Sequence, residues 1–346
     1  MAGFFSWISA IFSPSKSATV HSTPRLLNPA IRQVDDQPAN PVSTRQLEEQ
    51  LFSWLLDAPT SALTNDLNSA ELEALDTLEH RIHQQSLEEM PRRPMTLPML
   101  SRALSDEKVD RKELTRIILS DPALTDQLLH VANSPLFRGS HKAIESVDQA
   151  VFILGVGGIR NVISAAIMRP MMAARNSREA LFAQRVWRWG LTCAKAAELV
   201  ARLREKDGSL FFMTGLLPAL SYITLRRELQ RICRSASQPS EPSATLTYHA
   251  LSRFQWATAQ VLANEWNLSP EYHAKLMEAE RPSPNRSVAP LNDGIIMGTR
   301  EILRHAHQRN MAEEEVLKLV HIAPEEFTRI RRVILDSIEA GARARA

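Results

Sequence analysis

Apolar residues recur at helical spacing along most of the chain, and no stretch alternates apolar and polar positions over several strands. The pattern therefore predicts helices and no sheet. A first helix opens with Ser43 and Gln46 as a capping box and carries Leu47, Leu51, Trp54 and Leu55 inward. A second follows Ser69, with Leu72, Leu75, Leu78 and Ile82 on one face. Together they predict a helical hairpin over residues 43–90. Pro91 and Pro94 then set a rigid, extended lead-in. Helices follow at 97–104, after Asp110 and Glu113 with Leu114, Ile117 and Ile118 inward, and after Asp121–Pro122 with Leu124, Leu128, Leu129 and Val131. The next is capped by Ser146 and Gln149 and ends at Gly155, and longer helices cover 159–172, 180–203 and 211–233. Polar, proline-rich loops near 235–244 and 281–290 bracket helices at 246–266 and 270–279. Helices at 294–307, 312–320 and 324–338 close the chain. No repeat has a fixed period.

Composition agrees with an all-α architecture: of 346 residues only 11 are glycine, and 44% are hydrophobic, enough for a sizeable core. A formal net charge of +2 gives no global pull toward nucleic acid. The two cysteines, Cys193 and Cys233, have no CxxC partner and sit in apolar helical patterns. That usage excludes a disulfide scaffold and fits a cytoplasmic, reducing location. No apolar run reaches the length of about 18 residues that a membrane span needs. Residues 1–42 are expected to be a flexible segment. Within it Phe4, Phe5, Trp7, Ile8, Ile11 and Phe12 can form one apolar face for a partner groove or a membrane surface.

Two segments in fixed order, DPALTDQLLHVANSPLF at 121–137 and SVDQAVFILGVGGIRNVI at 146–163, resemble the HDOD domain, a bacterial relative of the HD phosphohydrolases. The stretch TLPMLSRAL at 96–104 resembles that domain's opening motif. The resemblance covers residues 91–282, which makes 283–346 a C-terminal helical extension. Most of these positions are structural: Asp121 caps a helix, Pro122 fixes its first turn, and Asn133 and Ser134 end it through side-chain hydrogen bonds.

The resemblance also says where chemistry would reside. Catalytic HD proteins hold metal ions with a histidine, an adjacent His–Asp pair and a distant aspartate, and the metals activate water. The first histidine follows a tryptophan and the pair follows Gly-Leu-Leu. At the matching positions this chain has Trp189, Pro218 and Ala219, which offer no ligand atoms, and it has no His–Asp dipeptide. Of the neighbouring Trp187 and Trp189, one is expected in the core and the other over this degenerate pocket.

Other candidates give less. Gly155, Gly157 and Gly158 lack the strand and the lysine of a phosphate loop and suit a left-handed helix end. His80, His83, His305 and His307 lack further ligands nearby, and His130 suits a packed or half-exposed helix position. The arginines at 226, 227, 231 and 234, and at 329, 331, 332, 343 and 345, are interleaved with acids and are expected to be solvated helix faces. The resemblance implies a regulatory, non-enzymatic role in bacterial signal transduction, with no cofactor and no metal. The expected partners are unidentified signalling proteins bound by a helical scaffold. The alternatives are a nucleotide sensor that uses the vestigial metal pocket, or a residual phosphohydrolase.

Overall fold

A computed structural model describes residues 44–64, 66–93, 111–138, 142–236, 239–280 and 289–343. The apolar face at Phe4–Phe12, the helix at 97–104, and the caps at Ser43 and Asp110 lie outside these residues. Among the described residues there are thirteen α-helices and no strand. In chain order they are α1 Thr44–Leu56, α2 Ser69–His83, α3 Arg111–Leu119, α4 Pro122–Ala132, α5 Pro135–Arg138, α6 Val147–Met172, α7 Ser177–Leu203, α8 Gly208–Ser235, α9 Ala244–Glu265, α10 Pro270–Glu280, α11 Pro290–His305, α12 Glu313–Leu317 and α13 Pro324–Arg343.

The helix starts follow local chemistry. Asp121 accepts from the Leu124 amide at 3.0 Å, with Pro122 in the first turn. Ser146 accepts from the Gln149 amide at 3.1 Å, while the Gln149 side chain accepts from the Glu145 amide instead of closing a box on Ser146. At α2 the cap is Asn68, in a reciprocal pair with Glu71 at 3.0 Å each way. Leu72, expected inward, is 49% exposed because the buried stripe of α2 consists of Ala74, Leu75, Leu78 and Ile82. α6 kinks at Gly155, whose φ of 65° and ψ of 177° suit glycine. The helix end expected at Gly155 is there: its backbone is non-helical, and a second helical stretch follows directly across the kink.

α8 forms the centre, with nearly every residue from Leu210 to Leu225 buried. α7 crosses it on small residues: a Cβ on Gly190 would lie 2.5 Å from the Ala219 Cβ, and one on Gly215 would lie 2.8 Å from the Ala194 Cα. The next stripe of α7 receives α11 in the same way. A Cβ on Gly294 would meet the Ala197 backbone at 2.4 Å, and one on Gly298 the Cys193 Cα at 2.6 Å. Side chains three or four residues apart share a helix face, so 190 with 194 and 193 with 197 make two adjacent docking stripes.

The outer helices are tied into the bundle. α11, in the C-terminal extension, is packed into the core against α7. α1 packs on α7, α9 and α11, and α2 on α8 and α9. Long-range pairs fix α2 there: Arg81 to Glu228 at 2.6 Å and Arg253 to Glu79 at 2.8 Å.

α6 and α8 are also long and apolar enough to cross a membrane by length and composition, although each is interrupted by polar residues and so holds no continuous apolar run of about 18. The apolar window of α8 is 94% buried inside the bundle and that of α6 50%, as expected for core helices.

Candidate functional site

The positions that the resemblance assigns to metal ligands do come together. Trp189 on α7 and Pro218 and Ala219 on α8 meet at the Gly190–Ala219 crossing. Trp189 is 1% exposed and Ala219 0%. The Trp189 ring lies on Tyr222, with centroids 4.9 Å apart and planes 9° apart. Its Nε1–H donates to Thr299 Oγ1 at 2.9 Å, and the Cys193 thiol lies 3.9 Å from that hydroxyl. The Tyr222 hydroxyl donates to Gln255 at 2.7 Å. Pro218 sits inside α8 without breaking it. Its carbonyl accepts from Ser221 Oγ at 2.7 Å, one turn back Thr214 Oγ1 donates to the Leu210 carbonyl at 2.7 Å, and the neighbours on both sides are buried.

These residues do not fit a metal. Tryptophan, proline and alanine side chains carry no coordinating atom, and no group of three or more His, Cys, Asp or Glu among the described residues can hold an ion. At this position the Trp189 and Tyr222 rings are stacked, fully buried and paired at their polar ends. Burial pushes the Cys193 thiol far above its usual range, which leaves it an inert packing group.

Beside the closed position lies an open groove of about 830 Å³. One wall is the α4–α5 junction, at His130, Asn133, Ser134, Pro135 and Leu136, and the other is the outer face of α7 at Ala183, Gln184, Trp187 and Arg188. Arg169 and Met172, near the end of α6, close it. The α4–α5 junction is held by Asn133, which donates to the Leu129 carbonyl at 3.0 Å and the Ile144 carbonyl at 2.7 Å and accepts from the Ile144 amide at 2.8 Å. Ser134 was expected to share that role, but its hydroxyl is buried without a hydrogen-bond partner. Trp187 is half-buried in the groove wall, so the pocket-facing tryptophan is not the one at the degenerate position. Burial lowers the pKa of Arg169, and no described carboxylate opposes that shift.

The arginines expected on solvated faces are only partly so. Arg227 is 9% exposed and donates to the Met171 and Ala173 carbonyls at 2.9 and 2.7 Å. Arg226 covers the Phe182 ring at 4.3 Å, and Arg231 and Arg234 pair with Glu88 and Glu241. The cluster at α8 is thus a network of internal ties. His80, His83, His130 and His307 are exposed, and His305 is half-buried.

Comparison with known proteins fits this geometry. The bundle is an HD-type helical fold. A family model, HDOD domain, matches residues 90–282, more than half of the chain. The chain belongs to the HDOD domain family. A Shewanella amazonensis structure named "Putative metal-dependent phosphohydrolase" has a TM-score of 0.56 at 17% identity, over 78% of this chain and 99% of that one. A second from the same organism, named "Putative phosphohydrolase", reaches 0.54 at 15% identity, over 79% and 97%. A "Putative signal transduction protein" from Marinobacter aquaeolei reaches 0.51 at 16% identity, over 82% and 68%. At these identities the likeness is one of fold. No curated protein matches the chain.

Proposed function

We propose that the chain is a non-enzymatic regulatory protein of bacterial signal transduction that acts as a protein-binding scaffold. The observation that carries this is the closed position at Trp189, Pro218 and Ala219, where a hydrolase of this fold would need ligands and open space. Membership of the HDOD family supports the regulatory part, as does the fold shared with the Marinobacter aquaeolei protein named for signal transduction. The scaffold part rests on surface chemistry. Phe152 on α6 is 77% exposed and Leu119 on α3 53%, beside a recess lined by Lys112, Arg116 and Asp148. Two free cysteines support a reducing, cytoplasmic location. The sensor alternative meets stacked, buried rings at the metal position, and the residual-hydrolase alternative has no ligand set there.

The test is affinity purification of the full chain from its host, beside Phe152→Asp, with the thermal stability of both measured. The expected result is a protein retained in stoichiometric amount by the wild type and lost with the equally stable variant. Recovery of no such protein, or equal recovery by both, counts against the scaffold.

A further inference from the structure

We infer that the groove between the α4–α5 junction and α7 binds a small aromatic anion, with its acid group on Arg169 and its ring against Trp187. This goes beyond the scaffold role and does not depend on it, since Phe152 is not among the residues that line the groove.

Three observations converge. The groove's volume, about 830 Å³, lies within the span of roughly 300–1,000 Å³ typical of small-molecule sites. Its lining is mainly apolar with a few polar groups, the usual division between burial and orientation. Arg169 stands on the wall half-buried, without a described anionic partner, and its pKa is lowered by burial alone. A half-buried guanidinium with no counter-charge among the described residues is a ready partner for an incoming anion, which would replace water on its open side. The position near the C-terminal end of α6 tolerates a cation but supplies no acid for it. Ser134 lines the same wall, but its hydroxyl is closed off from the groove, which leaves Arg169 to hold the acid group.

The groove's shape favours a flat body. Ala173, Ala174, Ala180 and Ala183 are small, so they leave the surface beside the half-buried Trp187 ring uncluttered. An indole face with open space before it is a stacking platform, and aromatic pairs add about 0.5–1.5 kcal/mol beyond area burial. His130 is exposed at the rim. The acid group can be a phosphate monoester or a carboxylate, since a guanidinium forks onto either.

The test is calorimetric titration of the full chain with 1-naphthyl phosphate and 1-naphthoate, beside inorganic phosphate and 1-naphthol as the separate halves. At least one aromatic acid is expected to bind ~10-fold or more tighter than either half. Its affinity should fall as salt rises. A preference for the phosphate points to a phosphate monoester as the physiological class, and a preference for naphthoate to a carboxylate. Arg169→Gln should weaken binding of the acid ~10-fold or more while leaving 1-naphthol unchanged, and Trp187→Leu should weaken both. Thermal melts of the two variants keep the result independent of folding. Arg169→Gln should melt at or above the wild-type temperature, because it removes a half-buried unpaired charge. The inference is overturned if neither aromatic acid binds at millimolar concentration, or if binding survives Arg169→Gln unchanged.

Discussion

Trp189 lies flat on Tyr222, with ring centroids 4.9 Å apart, and its indole N–H is donated to Thr299 on a third helix. One side chain thus ties α7, α8 and α11 at the point where a metal centre would otherwise open. Trp189→Ala should lower stability by about 3–5 kcal/mol, the cost of an emptied aromatic site. Trp189→Phe keeps an aromatic ring but leaves the Thr299 hydroxyl with only the Cys193 thiol at 3.9 Å, and should cost about 1–3 kcal/mol. Urea titrations of both variants check the order.

The α7–α11 contact makes a second prediction. Gly298→Val drives a branched side chain into the Cys193 backbone, where even a Cβ would lie 2.6 Å from its Cα. The loss should be several kcal/mol, at or above the 1–3 kcal/mol of ordinary overpacking, because backbone and not a flexible side chain must move. The fragment 90–282, which carries the whole matched family region, should lack a cooperative melt, since it leaves the α11-facing stripe of α7 uncovered. Calorimetry of the fragment beside the full chain decides this.

Asn133→Ala removes three hydrogen bonds, two that join the end of α4 to Ile144 in the strap before α6 and one back to Leu129 within α4. The expected cost is about 2–3 kcal/mol, with faster amide exchange at Ile144 as the local signature. Ser134→Ala should be close to neutral or slightly stabilising, because its buried hydroxyl has no partner to lose.

The elements were legible in the sequence where caps and apolar spacing coincide. Asp121–Pro122 and Ser146 mark true helix starts, and the helix ends fall within a few residues of expectation. That tryptophan, proline and alanine carry no coordinating atom is plain from the sequence, whereas their meeting at a helix crossing is visible only in the fold. The extent of the family domain, expected at 91–282, agrees with the family match at 90–282. The packing of the C-terminal helices was not legible. Gly294 and Gly298 look like ordinary helix glycines, and only the approach of α7 shows that their missing side chains let α11 enter the core. Charge placement was equally hidden, since Arg226 and Arg227 read as solvated, while Arg226 lies over the Phe182 ring and Arg227 holds the carbonyls of the α6–α7 turn. The groove was invisible for a related reason: its walls come from α4, α6 and α7, and neither Arg169 nor Trp187 belongs to a local motif.

Asp293 supplies a pH dependence. Its carboxylate is buried on α11, near His321 at 3.4 Å and with Arg204 contributing attraction, and burial outweighs both so that its pKa is raised. Its protonated form therefore favours the folded state. The contribution is fully present below the ordinary aspartate pKa of 3.8 and is lost as pH rises through the folded value. Asp293→Asn keeps a carbonyl acceptor for the His321 amide and removes the charge. The variant should melt above the wild type at pH 8, with the gap narrowing toward acid pH. Melting curves at several pH values between 5 and 8 test this, and a gap that widens toward pH 5 would contradict it.

The central claim is that this HDOD bundle has exchanged a metal centre for packed side chains. Its most direct measurement is the metal content of the purified full chain after incubation with Mn²⁺, taken with its hydrolysis of bis(p-nitrophenyl) phosphate. The account predicts substoichiometric metal and no turnover above a Trp189→Phe control. Stoichiometric metal with turnover that disappears on chelation and returns on reloading would contradict it.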